Sequence, residues 1–175
     1  VEGIDEVSFG ALDLAACQRF FGDWGLTQVS ASAQTLVYES LNGCRVIASA
    51  SDTPGLPPGI EPDPTLREVV WGLQTQADLD AVREKFKSQP GFVDSGDRVG
   101  CTDPNGLAVR VQVSRKRPVA LTAAKTNTWT DRVRVNQPAP AYDRATPVEV
   151  GHVVFFVKDL AAMTAFYEQC LGFVV

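Results

Sequence analysis

GHVVFFVKDLAAMTAFYEQCLGF, residues 151–173, decides the fold. Its first part belongs to VEVGHVVFFV (148–157), a run of β-branched and aromatic residues that reads as a strand. Asp159 then offers a side-chain acceptor to the free N–H groups of a helix start. Leu160, Met163, Tyr167 and Cys170 recur at helical spacing and give that helix one apolar face. LGFVV (171–175) opens a further strand. Inside the first strand stands His152, the single histidine of the 175-residue chain.

The same order occurs twice upstream. IDEVSFGAL (4–12) is a strand, and DLAACQRFFGDW (13–24) is a helix capped by Asp13, with Leu14, Cys17, Phe21 and Trp24 on one face. LTQVS (26–30), TLVYESL (35–41) and CRVIASA (44–50) follow as strands, the last two joined by the hairpin signal Asn42-Gly43. SDTPGLPPGIEPDPT (51–65) carries five prolines and two glycines and is a connector. Then LREVVWGLQT (66–75) is a strand, Asp78 caps a helix with the face Leu79, Val82 and Phe86, and GFVDS, RVGCT and LAVRVQV are strands. The tight-turn sequence DPNG (103–106) joins the last two. Aligning the Asp-Leu pairs 13–14, 78–79 and 159–160 puts Glu6, Trp71 and His152 at one equivalent position, seven residues before each Asp. Recurrence of one supersecondary unit is stronger evidence than any single propensity.

The chain therefore divides into a two-module domain, 1–113 (modules 1–52 and 66–113), a linker, 114–147, and the start of a second, incomplete domain, 148–175. The linker holds seven of the sixteen Lys and Arg, without interleaved aromatics beyond Trp129 and Tyr142. It reads as a segment whose charges are solvated or pair with the acidic domain, not as a nucleic-acid patch. A net charge of −5 and a pI of about 4.9 give no electrostatic reason to expect nucleic acid or an anionic membrane. No apolar run approaches the roughly 20 residues of a membrane span. Cys17, Cys44, Cys101 and Cys170 form no C-x-x-C pair and read as buried thiols of a reducing compartment, which makes the cytoplasm the expected location. There is no G-x-S-x-G, G-x-G-x-x-G or P-loop. The carboxylate pairs Asp78/Asp80 and Glu61/Asp63 belong to caps and loops. His152, between apolar neighbours, suits either a metal ligand or a core histidine with one hydrogen-bond partner.

Strand, helix and three strands, repeated with GHVVFFVKDLAAMTAFYEQCLGF as a module opening and CTDPNGLAVRVQV as a final hairpin, resembles the vicinal oxygen chelate superfamily. Glyoxalases, bleomycin-resistance proteins and extradiol dioxygenases belong to it. The resemblance implies an α+β fold in which paired βαβββ modules form a cup-like, mostly antiparallel sheet with helices outside. Here the opening βα of a third module is added. Metal ligands in such cups come from the first strand of one module and from the first and last strands of its partner. In 1–113 the matching positions are Glu6, Trp71 and Arg110. An indole does not ligate a divalent metal and Arg carries a fixed positive charge, so this domain is expected to be metal-free. Trp71 is expected to fill the cup and Arg110 to pair with Glu6.

A metal-free domain, a linker and then a histidine-bearing module is the organisation of two-domain extradiol ring-cleavage dioxygenases. The resemblance then makes His152 the first ligand of Fe(II), or Mn(II), in an intact parent. The metal takes two His and one Glu, with open positions for both catecholate oxygens and O2. Within these 175 residues there is no second histidine, so no metal is expected to be held stably by this chain alone. The expected partners are a small aromatic substrate and either further copies of the chain or a missing C-terminal segment. The competing expectations are a metal-free small-molecule-binding module of the bleomycin-resistance type and a glyoxalase-like metal-dependent lyase or isomerase.

Overall fold

The computed structural model describes residues 1–62, 64–121, 127–133, 135, 138, 141 and 143–174. Asp63 of the Glu61/Asp63 pair and Tyr142 of the linker lie outside them. Eight strands form one sheet: β1 Gly3–Ala11, β2 Thr27–Ala31, β3 Thr35–Glu39, β4 Arg45–Ala50, β5 Thr65–Leu73, β6 Val93–Asp94, β7 Arg98–Thr102 and β8 Ala108–Val113. The helices are α1 Leu14–Asp23, α2 Gln76–Phe86 and α3 Leu160–Leu171. The strand order is β2-β3-β4-β1-β5-β8-β7-β6. Only the β1–β4 and β5–β8 pairs are parallel, so the sheet is α+β and mostly antiparallel as the repeat implied.

The two modules meet along β1 and β5, which pair antiparallel with Val7 opposite Val69. β1 and β5 begin 62 residues apart, as do α1 and α2. An approximate two-fold axis through the Val7/Val69 pair therefore relates the modules. The registers Val7↔Val46, Val7↔Val69 and Val69↔Val109 put these four side chains on one face. That face is covered by helices: Val7, Val46 and Val69 share a core cluster with Leu14, Cys17 and Phe21 of α1. Val109 and Val111 share the other with Leu79, Val82 and Phe86 of α2.

The offset of 62 corrects the sequence alignment by three residues. Thr75, not Asp78, is the N-cap of α2. Its hydroxyl accepts from Asp78 N, while the Asp78 carboxylate accepts from Thr75 N at 3.0 Å, a reciprocal capping box. Asp13 and Asp159 do cap α1 and α3, accepting from Ala16 N and Ala162 N. Counting seven residues back from the true caps gives Glu6, Glu68 and His152. Glu68, not Trp71, is thus the counterpart of Glu6.

Residues 148–157 pack Val150, Val153, Phe155 and Val157 against the core clusters, but no described strand pairs with them. The strand expected over 148–157 is therefore not formed, since a ladder needs a neighbour. The segment is pinned at both ends: Asn42 N donates to Val148 O at 3.0 Å, and Asn105 Nδ2 donates to Phe156 O at 3.0 Å. Val153, Phe155 and Val157 turn toward the core clusters, while His152, Val154 and Phe156 face outward and are exposed. α3 then buries Met163, Phe166, Tyr167, Cys170 and Leu171 against the second module. Five such side chains contribute roughly 2 kcal/mol each before ordering costs. Of the strand expected over 171–175 the described residues form none, and residue 175 lies outside them: Leu171 completes α3, and Gly172 closes it at φ 71°, a left-handed cap that glycine adopts without Cβ strain.

Candidate functional site

The positions that should carry chemistry in the first domain lie on the sheet face away from the helices. An irregularity in β1 between Ile4 and Glu6 turns both Asp5 and Glu6 toward Gln112 of β8. Arg98 of β7 donates from Nη1 to Glu6 at 3.1 Å and from Nη2 to Gln112 Oε1 at 2.8 Å. Its guanidinium also lies 3.9 Å from Glu68. Arg110 of β8 pairs with Glu68 at 3.2 Å. Gln112 passes the network on to Asp5 at 2.9 Å, and Asp5 accepts from Ser114 Oγ at 2.9 Å and Arg115 N at 3.0 Å.

Two corrections follow. Arg110 pairs with Glu68, and the cation on Glu6 is Arg98. The partner of Glu6 is set by register: β7 lies beyond β8, and its long Arg98 side chain reaches back across Gln112. Trp71 does not fill the cup. It sits on the helix side, edge-on to Tyr167 at 6.3 Å and Phe173 at 4.9 Å, with its indole N–H buried and without a hydrogen-bond partner.

Burial pushes the Glu68 carboxyl above its usual range, and the coulombic pull of Arg110 and Arg98 only partly offsets this. Farther along the face, burial also pushes Glu39 up, but hydrogen bonds from Arg45 and Arg117 outweigh it and hold Glu39 below its usual range. Glu39 is 3.0 Å from Arg45 and 3.1 Å from Arg117. A cavity of about 230 Å³ between these groups is ringed by charges already in ion pairs or hydrogen bonds. Two carboxylates from equivalent positions thus converge on guanidinium groups. This face of the domain neutralises its own charge.

His152 stands apart from that face, on the outward side of 148–157. Among the described residues no group of three or more His, Cys, Asp and Glu is placed to hold a metal ion. The described residues therefore offer no complete ligand set for Fe(II) or Mn(II). The described cysteines are free thiols, and burial pushes Cys101 up to about 12, far from a reactive thiolate. No helix among the described residues is long and apolar enough to cross a membrane. An apolar groove of about 850 Å³ lies on the helix side between α1 and residues 147–154, with His152 on its border.

Residues 149–175 match the family model of the Glyoxalase/Bleomycin resistance protein/Dioxygenase superfamily. Solved structures of the same fold cover almost the whole chain. The Mn(II)-bound glyoxalase from Novosphingobium aromaticivorans superposes with a TM-score of 0.65 at 21% identity, over 100% of this chain and 54% of its own. The 2,3-dioxygenase LapB from Pseudomonas sp. KL28 gives 0.67 at 15% identity, over 97% and 58%. A halotolerant catechol dioxygenase, BphC, gives 0.66 at 13% identity, over 99% and 56%. No curated protein matches in sequence. The fold is the one these solved structures share, and the module opening at 149–175 matches the superfamily model. The chain spans little more than half the length of these relatives in structure.

The sequence pattern contained a signal for Glu68 that the Asp-Leu alignment passed over. Thr75-x-x-Asp78 has the spacing of a capping box, and it moves the second module into register with the first. Arg98 left no such signal, because its partner lies 92 residues away.

Proposed function

We propose that this chain is the N-terminal part of a two-domain, extradiol-type ring-cleavage dioxygenase acting on a catechol-like aromatic. In this reading residues 1–113 form a metal-free domain. His152 is the first ligand of a non-haem divalent metal whose other ligands come from outside these 175 residues. The observation that carries the reading is the placement of His152. Like Glu6 and Glu68 it stands seven residues before a helix cap, and it is exposed, in the segment that matches the superfamily model. In the first domain the equivalent carboxylates are closed by Arg98 and Arg110. In the third module the equivalent side chain faces outward.

The work of residues 1–175 in such an enzyme is to fix the segment 148–157. Val153, Phe155 and Val157 anchor one side of it in the core, and α3 locks its C-terminal end. The imidazole is thereby presented on a supported backbone. A metal-free module of the bleomycin-resistance type has less support, because the cup face of 1–113 is occupied by its own ion pairs.

The test is ring cleavage of catechol by the protein expressed from its complete coding sequence and loaded with Fe(II). The ring-opened product is followed by absorbance. Activity is expected, with loss of at least a hundredfold in His152→Ala, and none is expected from residues 1–175 alone. Full activity in His152→Ala overturns the assignment. Chelator-insensitive binding of an aromatic without turnover supports the binding-module reading instead.

A further inference from the structure

The basic run Arg115-Lys116-Arg117 opens the linker, and ring cleavage makes no use of it. Its backbone is held at two points. Arg115 N donates to Asp5 Oδ2 at 3.0 Å, and Arg117 N donates to Asn42 O at 2.7 Å. Lys116 turns to Glu2 O at 3.4 Å and Glu149 at 3.8 Å. Arg115 and Arg117 instead line the cavity of about 230 Å³, together with Arg45 of β4. Glu39 holds two of these three guanidinium groups, Arg45 through one oxygen at 3.0 Å and Arg117 through the other at 3.1 Å. Gly43 makes room for the second: a Cβ there would stand 3.2 Å from Arg117 Cζ.

Depth and charge together set the sign of this cavity. Asp5 and Glu6 are 5% exposed or less, and Gln112, Ser114, the Arg115 N–H and Arg98 take up their oxygens. The side chains of Arg45, Arg115 and Arg117 keep 40%, 51% and 59% of their surface in solvent. Carboxylates thus form the base and guanidinium groups the mouth. Glu68 is matched by Arg110. Arg45, Arg98, Arg115 and Arg117 then outnumber Asp5, Glu6 and Glu39 by one charge. Asp97, 3.5 Å from Arg115, is 76% exposed and offsets little. A chain of net charge −5 therefore turns a positive mouth to solvent here, and a concave wall focuses such a field. Glu39 engages Nε of Arg45 and Nη2 of Arg117. A guanidinium carries five N–H donors in a rigid fork, so both keep donors for a second anion.

We propose that this cavity binds a small dianion of carboxylate or phosphate chemistry, held by Arg45, Arg115 and Arg117. The fork of an arginine matches two oxygens of either group, and three forks converge here. Apart from Gly43 every lining residue is charged or polar, so an aromatic ring finds no apolar wall. The volume equals that of about eight liquid water molecules, which admits phosphate or a short dicarboxylate such as succinate. The site stands apart from His152. Anion binding is then a function of the first domain itself, separate from any metal chemistry.

The test titrates sodium phosphate and sodium succinate into the protein from its complete coding sequence, by calorimetry at one ionic strength held with sodium chloride. A Kd of about 1 mM or tighter is expected for at least one of them. Arg115→Gln and Arg117→Gln should each weaken it about tenfold or more. Both side chains are half in water, so without anion both variants should melt within about 3 °C of the parent. Arg132→Gln removes an exposed linker cation outside the cavity and should leave the Kd unchanged. Tighter binding of phosphate identifies a phosphate ligand and tighter binding of succinate a dicarboxylate; either supports the site. No heat from either anion up to about 20 mM overturns the proposal. An unchanged Kd in both Arg115→Gln and Arg117→Gln also overturns it, as an ion bound elsewhere. Equal weakening by Arg132→Gln does the same, since it means general attraction to a basic linker.

Discussion

Replacing Arg98 with methionine removes the cation that joins Glu6 to Glu68 while keeping most of the side chain's apolar bulk. Glu6 is 5% exposed, so its carboxylate cannot turn to water without distorting β1. Deleting one partner of a buried ion pair costs about 3–5 kcal/mol. Arg98 retains 25% of its side-chain surface in solvent, and Arg110 still holds Glu68 at 3.2 Å. The expected cost is therefore lower, about 2–3 kcal/mol. In a domain of this size it corresponds to a fall in Tm of about 4–10 °C. The pH dependence has a definite sign. Burial raises the Glu68 carboxyl, and Arg98 is one of the two cations that pull it back. Without Arg98 it rises further. A carboxyl raised in the folded state contributes stability that is full below its unfolded value and lost as pH rises through its folded value. The variant's deficit should thus be larger at pH 8 than at pH 5. Calorimetric melts of both proteins at the two pH values measure it, and Glu68→Gln added to the variant should recover part of the loss at pH 8. A deficit that is the same at both pH values, or below about 0.5 kcal/mol, would refute the reasoning.

Trp71→Phe removes a buried N–H without a hydrogen-bond partner but keeps ring contacts with Tyr167 and Phe173. Urea unfolding should place it within about 1 kcal/mol of the parent chain, against a loss of about 3–5 kcal/mol for Trp71→Ala. Thr75→Ala breaks the capping box of α2 and should cost about 1 kcal/mol in the same assay, whereas a loss near zero would return the cap to Asp78. Native-state thiol labelling at pH 8 should reach Cys17 first, since it is the least buried of the four. Cys44, Cys101 and Cys170 should react only at the rate of unfolding, and fast labelling of Cys101 would contradict its burial.

The repeat was legible because its signals are local. Asp13 and Asp159 cap their helices, Asn42-Gly43 and DPNG make their turns, and apolar spacing marks all three helices. What was lost turned on a single cap. Asp-Leu at 78–79 imitates the openings at 13–14 and 159–160, yet Thr75 holds the cap, and the three-residue slip put Trp71 where Glu68 stands. The ion pairs were not legible for a different reason. Which arginine meets Glu6 depends on strand order and on how far a side chain reaches across Gln112, and neither is written near Arg98. The segment 148–157 has strand composition, but pairing depends on a neighbour, and no described strand supplies one.

The seam at the middle of the sheet also sets a time scale. Val7 meets Val69, 62 positions further along the chain, and Glu6 meets Arg45, 39 positions further along. Neither pairing can begin from a tight turn, so long loops must close before the central ladder returns any free energy. Chains dominated by such distant contacts fold in milliseconds to seconds, as an order of magnitude. Through that interval the unpaired backbone of 148–157 is open to strand addition by another chain. Recovery of soluble protein should therefore respond to chain concentration and growth temperature during synthesis, more than to the stability of the finished fold.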